Sequence, residues 1–226
     1  MEFDYSPLWI SLKTVLTATC ITFFLGIFIA WRMSNYKGKL KGILDVIFTL
    51  PMVLPPTVVG FFLLLILGKN GMFGMLFKYF NTNIIFSWYA TVISAVIVSF
   101  PLMYKTTRGS FEQIDINILN AARTLGVPEL RIFWKITVPI SFPGIAAGTV
   151  LSFARALGEF GATLMIAGNI PGKTQTIPLA IFFAAEGGNM NRAFIWVCII
   201  LIISLIVMTL TNYWTQNHKR FKLYKF

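Results

Sequence analysis

Residues 84–104 read IIFSWYATVISAVIVSFPLMY, a run of 21 residues without a charged side chain. A helix needs about 20 predominantly apolar residues to cross the hydrocarbon of a bilayer. The composition of the whole chain agrees, since 57% of its 226 residues are hydrophobic and 12% are charged. A typical soluble domain has about 25% charged residues. We therefore expect an integral membrane protein, and the composition excludes a soluble enzyme, a disordered tail and a disulfide scaffold.

Four further stretches on either side of this run are long and apolar enough to be membrane spans: 8–31, 43–67, 138–157 and 193–214. The first three carry one charged residue each, near an end, where a charge can reach the interface: Lys13, Asp45 and Arg155. The chain starts with the acidic sequence MEFD, so we expect the first stretch to stay as a span and not to be removed as a signal peptide. Five spans predict an all-α, polytopic membrane helix bundle.

The basic residues between the stretches predict the orientation of the bundle. The loops 32–42 and 105–137 and the tail 215–226 carry 13 Lys and Arg, whereas the alternate segments 68–83 and 158–192 carry 4. Cytoplasmic loops are enriched in Lys and Arg, so we expect the N-terminus outside and the basic tail in the cytoplasm. Since topology accounts for the net charge of +11, we do not expect nucleic acid as a partner.

The segment 158–192 does not have the pattern of a span. Its two apolar runs, 162–167 and 177–185, are each too short to cross, and glycines, a proline and Lys173 separate them. A sixth span here would place the basic tail outside, so we predict an extracytoplasmic or partly re-entrant segment. Irregular backbone at membrane depth must be covered by other protein, which favours a bundle, and a dimer, around a pathway.

The loop 105–137 has a helical pattern of its own. A short amphipathic helix is predicted by apolar residues at helical spacing: Ile114, Ile118, Ala121, Ala122 and Leu125. Ser110 and Gln113 have the spacing of a capping box, and Gly126 is suited to end the helix with a positive φ. Pro128 suits the first turn of a second helix that would run to about Ile136. The expected structure is helix, tight turn and helix, held at the cytoplasmic face.

Three groups of residues in this region have the spacing of a known motif: Asn120-Ala121-Ala122, Gly126, and Ile136-Thr137-Val138-Pro139. They resemble the EAA loop of ABC importer permeases, which reads EAA, three residues, Gly, nine residues and I-x-L-P, with Asn120 in place of Glu and Val138 in place of Leu. The resemblance implies a type I permease fold over 8–214 and a coupling helix that sits in a groove of a separate ATPase subunit. Because Asn120 is uncharged, we do not expect the salt bridge that the family's Glu makes. The residues to which it assigns coupling are Asn120, Ala121, Ala122, Gly126, Val127, Pro128, Ile136 and Pro139. The alternative is a helix that lies on the membrane surface.

Two further stretches extend the resemblance: LPMVLPPTVVG at 50–60, and 155–174, which includes RALGEFGAT and GNIPGKT. They are similar to the molybdate branch of these permeases, with sulfate and tungstate permeases as close relatives. The branch implies a homodimer in the cytoplasmic membrane of a prokaryote, two ATPase subunits that bind ATP and Mg, and an extracytoplasmic binding protein that delivers the oxyanion. The chain itself is expected to be non-catalytic and to bind no cofactor.

Residues that carry chemistry are few. The one histidine, His218, lies in the basic tail, and Cys20 and Cys198 lie inside apolar runs, so we predict no catalytic or metal site. Residues 167–174 match a loosened phosphate-loop pattern, but Pro178 is expected to interrupt the helix that such a loop needs. Since the predicted orientation also places Lys173 outside, we do not expect a nucleotide here.

A pathway for an anion needs weak donors, which we assign to the hydroxyl groups of Thr57, Thr149, Ser152 and Thr163. Arg155 and Glu159 are four residues apart and can pair on one helix face, either as an interfacial ion pair or as part of an outer gate. The prolines and small residues of the spans suit ordinary packing as well as broken helices that line a pathway. Scattered acidic residues argue against a secondary transporter or channel, and the lack of catalytic clusters argues against an intramembrane enzyme.

Overall fold

The structure is a computed structural model that describes residues 4–69, 71–72 and 83–223, with side chains described as far as residue 209. In these ranges the regular secondary structure is entirely helical, which confirms the predicted all-α class. In chain order the helices are α1 (Ser6–Asn35), α2 (Lys41–Val53), α3 (Pro56–Leu67), α4 (Trp88–Glu112), α5 (Ile116–Thr124), α6 (Glu129–Ile132), α7 (Val138–Leu157), α8 (Gly161–Ala167), α9 (Ile177–Glu186) and α10 (Met190–Leu223).

Helices α1 and α4 form the centre of the bundle and run in the same direction. The Oγ1 atoms of Thr14 and Thr91, near the two helix starts, are 2.9 Å apart. Further along, Gly26 lies against Met103, so that α1 and α4 keep the same register. We call the end at which both helices begin the outer end, following the predicted orientation, and the opposite end the inner end.

Helix α7 runs antiparallel to α4. The Ser141 hydroxyl donates to the Ser110 carbonyl oxygen at 3.2 Å, and the Ser152 hydroxyl donates to that of Ser99 at the same distance. Helix α10 runs in the same direction as α1. Its Trp196 packs in one cluster with Leu8, and Ile200 and Ile203, further along α10, pack beside Val15 and Ala18. The segment 158–192 therefore begins and ends at the outer end, which is the arrangement that five crossings require.

Four helical stretches are long and apolar enough to cross a bilayer: Ser6–Asn35, Trp88–Glu112, Glu129–Leu157 and Met190–Thr209. The remaining predicted span, 43–67, is not one straight helix but the pair α2 and α3, bent by 115°. Two consecutive prolines cause the break, since the residue before a proline avoids the helical region and both Leu54 and Pro55 are extended, with ψ of 142° and 137°. Pro56 then begins α3, where a missing N–H has no cost.

The second helix of the loop 105–137 does not stop at Ile136 before a separate span. Instead, α6 continues through one π-helical turn, Phe133–Thr137, into α7. Pro139 has no N–H to donate to residue 135, and the Val138 N–H bonds the Phe133 carbonyl oxygen five residues back. The π turn thus lets one helix pass from the loop into the membrane despite the proline.

Candidate functional site

The first candidate site is the coupling loop, residues 105–137, at the inner end. Its helix α5 begins at Ile116, and the Asp115 side chain caps it by accepting from the Asn117 N–H at 2.9 Å. The predicted capping box of Ser110 and Gln113 is wrong, because α4 extends through Ser110 to Glu112. Asp115, directly before the helix, provides the cap instead, and it accounts for the later start.

Gly126 ends α5 with φ of +75°, as the sequence predicts. The Val127 N–H donates to the Ala122 carbonyl oxygen at 3.1 Å and closes the turn. Pro128 then caps α6 from an extended conformation, one position before the first turn in which the sequence predicts it. Only a residue that tolerates a positive φ lets the chain reverse between α5 and α6 in this way.

An ion pair that was not predicted from the sequence closes the same turn from outside. Arg123 Nε is 2.6 Å from Glu129 Oε1, and Arg123 Nη2 is 3.2 Å from Glu129 Oε2. The two hydrogen bonds to the carboxylate raise the pKa of Arg123 above its ordinary value. The sequence feature that could have indicated this ion pair is the opposite charge of two residues six positions apart on either side of a glycine turn. The turn brings the two side chains together.

The exposed side of the coupling loop mixes apolar side chains with polar and charged ones. Asn120 and Ala121 are exposed, whereas Ala122 is 7% exposed and packs against its own chain. Because Ala122 is buried by its own chain, the close approach of a partner expected for both alanines can involve only Ala121. Large exposed side chains surround this position: Ile116, Ile118, Leu125, Leu130 and Trp134.

A cavity of about 270 Å³ separates the coupling loop from the bundle. It lies between α5 and the inner ends of α1 and α4, and its wall includes Trp31, Asn35, Phe111 and Leu119. Helix α5 is thus attached through its two ends and through the turn at Gly126, with open space behind it.

The second candidate site lies at the outer end, where α7 gives way to α8. Arg155 Nη1 is 2.9 Å from Glu159 Oε2, so the predicted pair is present. Glu159 is 3% exposed, and its other oxygen accepts from the Ala162 N–H at 2.8 Å. One carboxylate therefore joins the end of α7 to the start of α8, with Glu159 buried and Arg155 half-buried.

The hydroxyl candidates for a pathway do not converge on one channel within the described part of the chain. Ser152 bonds the Ser99 carbonyl oxygen, Thr163 bonds Ser94 at 2.7 Å, and Thr149 bonds the Ile145 carbonyl oxygen at 2.8 Å. Thr57, by contrast, is exposed. Thr163 and Glu159 do share the wall of a cavity of about 10 Å³, which is about the size of one water molecule.

The turn that resembles a phosphate loop is held by hydrogen bonds between its own residues. The Thr174 hydroxyl donates to the Gly168 carbonyl oxygen at 3.2 Å and accepts from the Ile170 N–H at 3.1 Å, while Lys173 is exposed. The expectation that Pro178 interrupts the following helix is wrong, because this proline lies in the first turn of α9. Since α9 begins only at Ile177, its N-terminus is offset from the turn, unlike the helix of a phosphate loop.

Comparisons with known proteins agree with this architecture. The model of the family "Binding-protein-dependent transport system inner membrane component" matches residues 22–219. The molybdenum transport system permease protein ModB of Escherichia coli (strain K12) is 41% identical over 220 residues, which are 96% of this chain and 95% of that protein. ModB of Haemophilus influenzae is 38% identical over 221 residues, 97% of this chain and 96% of that protein.

Solved structures show the same fold at lower identity. A chain from the crystal structure of a bacterial alginate ABC transporter, in complex with its alginate pentasaccharide-bound periplasmic protein, superposes with a TM-score of 0.73. The match covers 96% of this chain and 83% of that chain at 15% sequence identity.

Proposed function

Because the chain belongs to the family of binding-protein-dependent transport system inner membrane components, we propose that it is the permease subunit of an ATP-driven molybdate importer. The substrate is supported by two relatives near 40% identity over almost their whole length, both molybdenum transport permeases. The same relatives do not favour sulfate or tungstate. The chain moves the oxyanion through the cytoplasmic membrane of a prokaryote and catalyses no reaction.

The observation that carries the proposal is the exposed coupling loop. Ala121 and Leu125 are exposed apolar positions on α5 at the inner end, and the Gly126 turn fixes the angle between α5 and α6. An exposed apolar surface of this kind is typical of a protein interface. We assign it to an ATPase subunit, which binds ATP and Mg and supplies the free energy of transport.

The exposed pathway candidates support a second copy of the chain. Thr57 is exposed and Arg155 is half-buried, so a path that uses them runs along the surface of one protomer. A dianion cannot cross along a lipid-facing surface, because hydrocarbon offers it neither water nor donors. Two protomers facing each other, each with one ATPase subunit, would enclose the path and keep it wet. An extracytoplasmic binding protein delivers molybdate at the outer end, where Lys173 is exposed.

Transport then consists of two alternating conformations of the dimer. ATP binding shifts their populations only if the ATPase binds the coupling loop with different free energy in the two states. Weak donors such as the Thr57 hydroxyl suit passage, since tight binding would trap the anion.

Uptake into sealed vesicles tests the proposal. Vesicles with this chain, its ATPase and its binding protein are expected to accumulate molybdate with ATP and not without it, as measured by elemental analysis. Equal uptake without ATP would indicate a channel or a secondary transporter. Uptake of sulfate or tungstate in preference to molybdate would move the chain to a neighbouring branch.

A further inference from the structure

A cluster of charged side chains near the inner end joins α2 to α4. Arg108 of α4 forms an ion pair with Asp45 of α2, donates to Glu112 Oε1 at 2.9 Å and donates to the Tyr104 hydroxyl at 3.0 Å. The Tyr104 hydroxyl donates in turn to Asp45 Oδ1 at 2.9 Å. Lys41, at the start of α2, lies 3.5 Å from Glu112. We call these five residues the α2–α4 clamp.

The clamp is the main polar attachment of a helix that is otherwise loosely held. Helix α2 has no buried residue, and outward-facing Val46, Ile47 and Val53 are more than half exposed. Its apolar attachment is made by Leu44 and by the ring of Phe48, which lies 5.4 Å from the ring of Tyr104 and 6.0 Å from that of Phe100. Because no side chain of α2 is fully buried, we assign the position of α2 relative to α4 to the ion pair of Asp45 with Arg108.

The other half of the bent pair is held at the outer end. Helix α3 packs on α8 at two glycines, where side chains are absent and backbones approach closely. A Cβ on Gly60 would lie 2.8 Å from Ala162 Cα, and a Cβ on Gly161 would lie 3.2 Å from the Thr57 nitrogen. Helices α2 and α3 are thus fixed to α4 at one end and to α8 at the other.

Two residues of the clamp, Arg108 and Glu112, belong to the coupling loop and lie just before α5. Glu112 is the last residue of α4, and Asp115 caps α5 three residues later. Any displacement of α5 by a bound ATPase must therefore move the end of α4, to which Arg108 and Glu112 belong. The bent pair α2–α3 then connects that movement to α8 and to the break beside Glu159.

We propose that Asp45 and Arg108 are positioning residues that transmit the state of the ATPase from the coupling loop, through α2 and α3, to the outer segment. This inference rests on the proposed function. Neither residue touches the substrate, and both act through the position of α2. An ion pair suits this task because its geometry is directional, whereas the apolar contacts of α2 allow it to slide along α4.

The inference predicts uncoupling without loss of assembly. In D45N the Asn side chain keeps the size of Asp45 but removes the charge that holds Arg108. The complex should still capture its ATPase and hydrolyse ATP in vesicles, yet the number of molybdate ions moved per ATP should fall at least about fivefold, the lower range of coupling between sites. The charge exchange D45R/R108D should restore most of that ratio. T49A, on the same helix, is the matched control, because the Thr49 hydroxyl bonds the Asp45 carbonyl oxygen within α2.

The outcomes separate this inference from the proposed function. A native ratio of molybdate to ATP in D45N would overturn the inference and leave the importer intact. Loss of ATPase capture in D45N would also overturn it, because the clamp would then serve assembly and not transmission. If the ratio of molybdate to ATP in D45R/R108D stays as low as in D45N, the pairing of the two charges does not determine coupling, and the inference is overturned. Failure of the native chain to transport molybdate would instead overturn the proposed function.

Discussion

The coupling loop and the outer segment 158–192 hold their residues in opposite ways. In the coupling loop, Ala121 and Leu125 are exposed, and hydrogen bonds such as that from Val127 to Ala122 join near neighbours in sequence. In the outer segment, Ala162, Ile166 and Ile177 are fully buried, and the Ile177 N–H donates to the Ser11 hydroxyl, 166 residues away in sequence. A surface left open for a partner is thus built locally, and a segment that seals the bundle is built by tertiary packing.

The largest expected difference is between two ion pairs of the same chemistry. E159A removes a buried carboxylate and leaves half-buried Arg155 and the Ala162 N–H without this partner, so we expect the free energy of unfolding to fall by about 3 kcal/mol. E129A removes a partner of exposed Arg123 and should cost less than about 1 kcal/mol. Thermal unfolding of both variants in detergent measures the difference. Equal losses would show that burial does not distinguish the two regions.

Two glycines should respond with opposite sign. In Gly60→Ala the new Cβ meets Ala162 Cα and Met165 Cβ at under 3 Å, so α3 and α8 must move apart at a cost of about 1–3 kcal/mol. Gly42, in α2, has nothing within 4 Å, and Gly42→Ala should stabilise the protein by about 0.5–1 kcal/mol. Unfolding midpoints that shift in the same direction would contradict the close approach of α3 and α8.

A substitution at Gly126, in the turn of the coupling loop, should act through the strain of its backbone conformation and not through steric contact of the added side chain. A Cβ added at Gly126 would meet nothing within 4 Å, so Gly126→Val should cost only the strain of its positive φ, about 1–2 kcal/mol. The variant should insert in the membrane but lose transport, because the angle of α5 changes. Gly126→Asn is the control, since Asn tolerates this region better. Normal uptake by Gly126→Val would show that the turn does not set the docking angle.

The smallest effect on stability, with a large effect on assembly, is expected at Ala121, and the adjacent Ala122 is the comparison. Ala121→Leu adds an exposed side chain and should change the free energy of unfolding by less than about 0.5 kcal/mol, yet obstruct capture of the ATPase. Ala122→Leu overfills a buried position and should destabilise the chain by about 1–3 kcal/mol. Capture of the purified ATPase on immobilised permease compares them. If Ala121→Leu binds the ATPase normally, that face of α5 is not the docking surface.

The coupling loop is the region that the sequence predicts best, and its local construction is the reason. The positive φ of Gly126 and the helix before it depend on residues within one turn of each other. The error in the capping box also has a local cause, because Asp115 and not Ser110 caps the start of α5. The role of Ala122 could not be foreseen, since its burial depends on the chain behind α5.

The outer segment and the second span show what a single sequence leaves open. The spacing of Arg155 and Glu159 predicts their pairing, but the burial of Glu159 depends on α1 and α4, which are distant in sequence and line the same small cavity. The prolines of the span 43–67 leave a packed helix and a broken helix both open, and the bend of 115° depends on the separate anchoring of α2 on α4 and of α3 on α8. Hydroxyls such as those of Ser152 and Thr163 have the same sequence pattern whether they line a pathway or bond a neighbouring helix.

Sidedness tests the comparison most directly, because the two regions can bind an ATPase and a binding protein only from opposite faces of the membrane. Asn120 and Lys173 are both exposed, and single cysteines there, in a background without Cys20 and Cys198, can be labelled with an impermeant thiol reagent. In right-side-out vesicles we expect labelling at position 173 and none at position 120, with the reverse in inverted vesicles. Labelling of both positions from the same side would contradict the account.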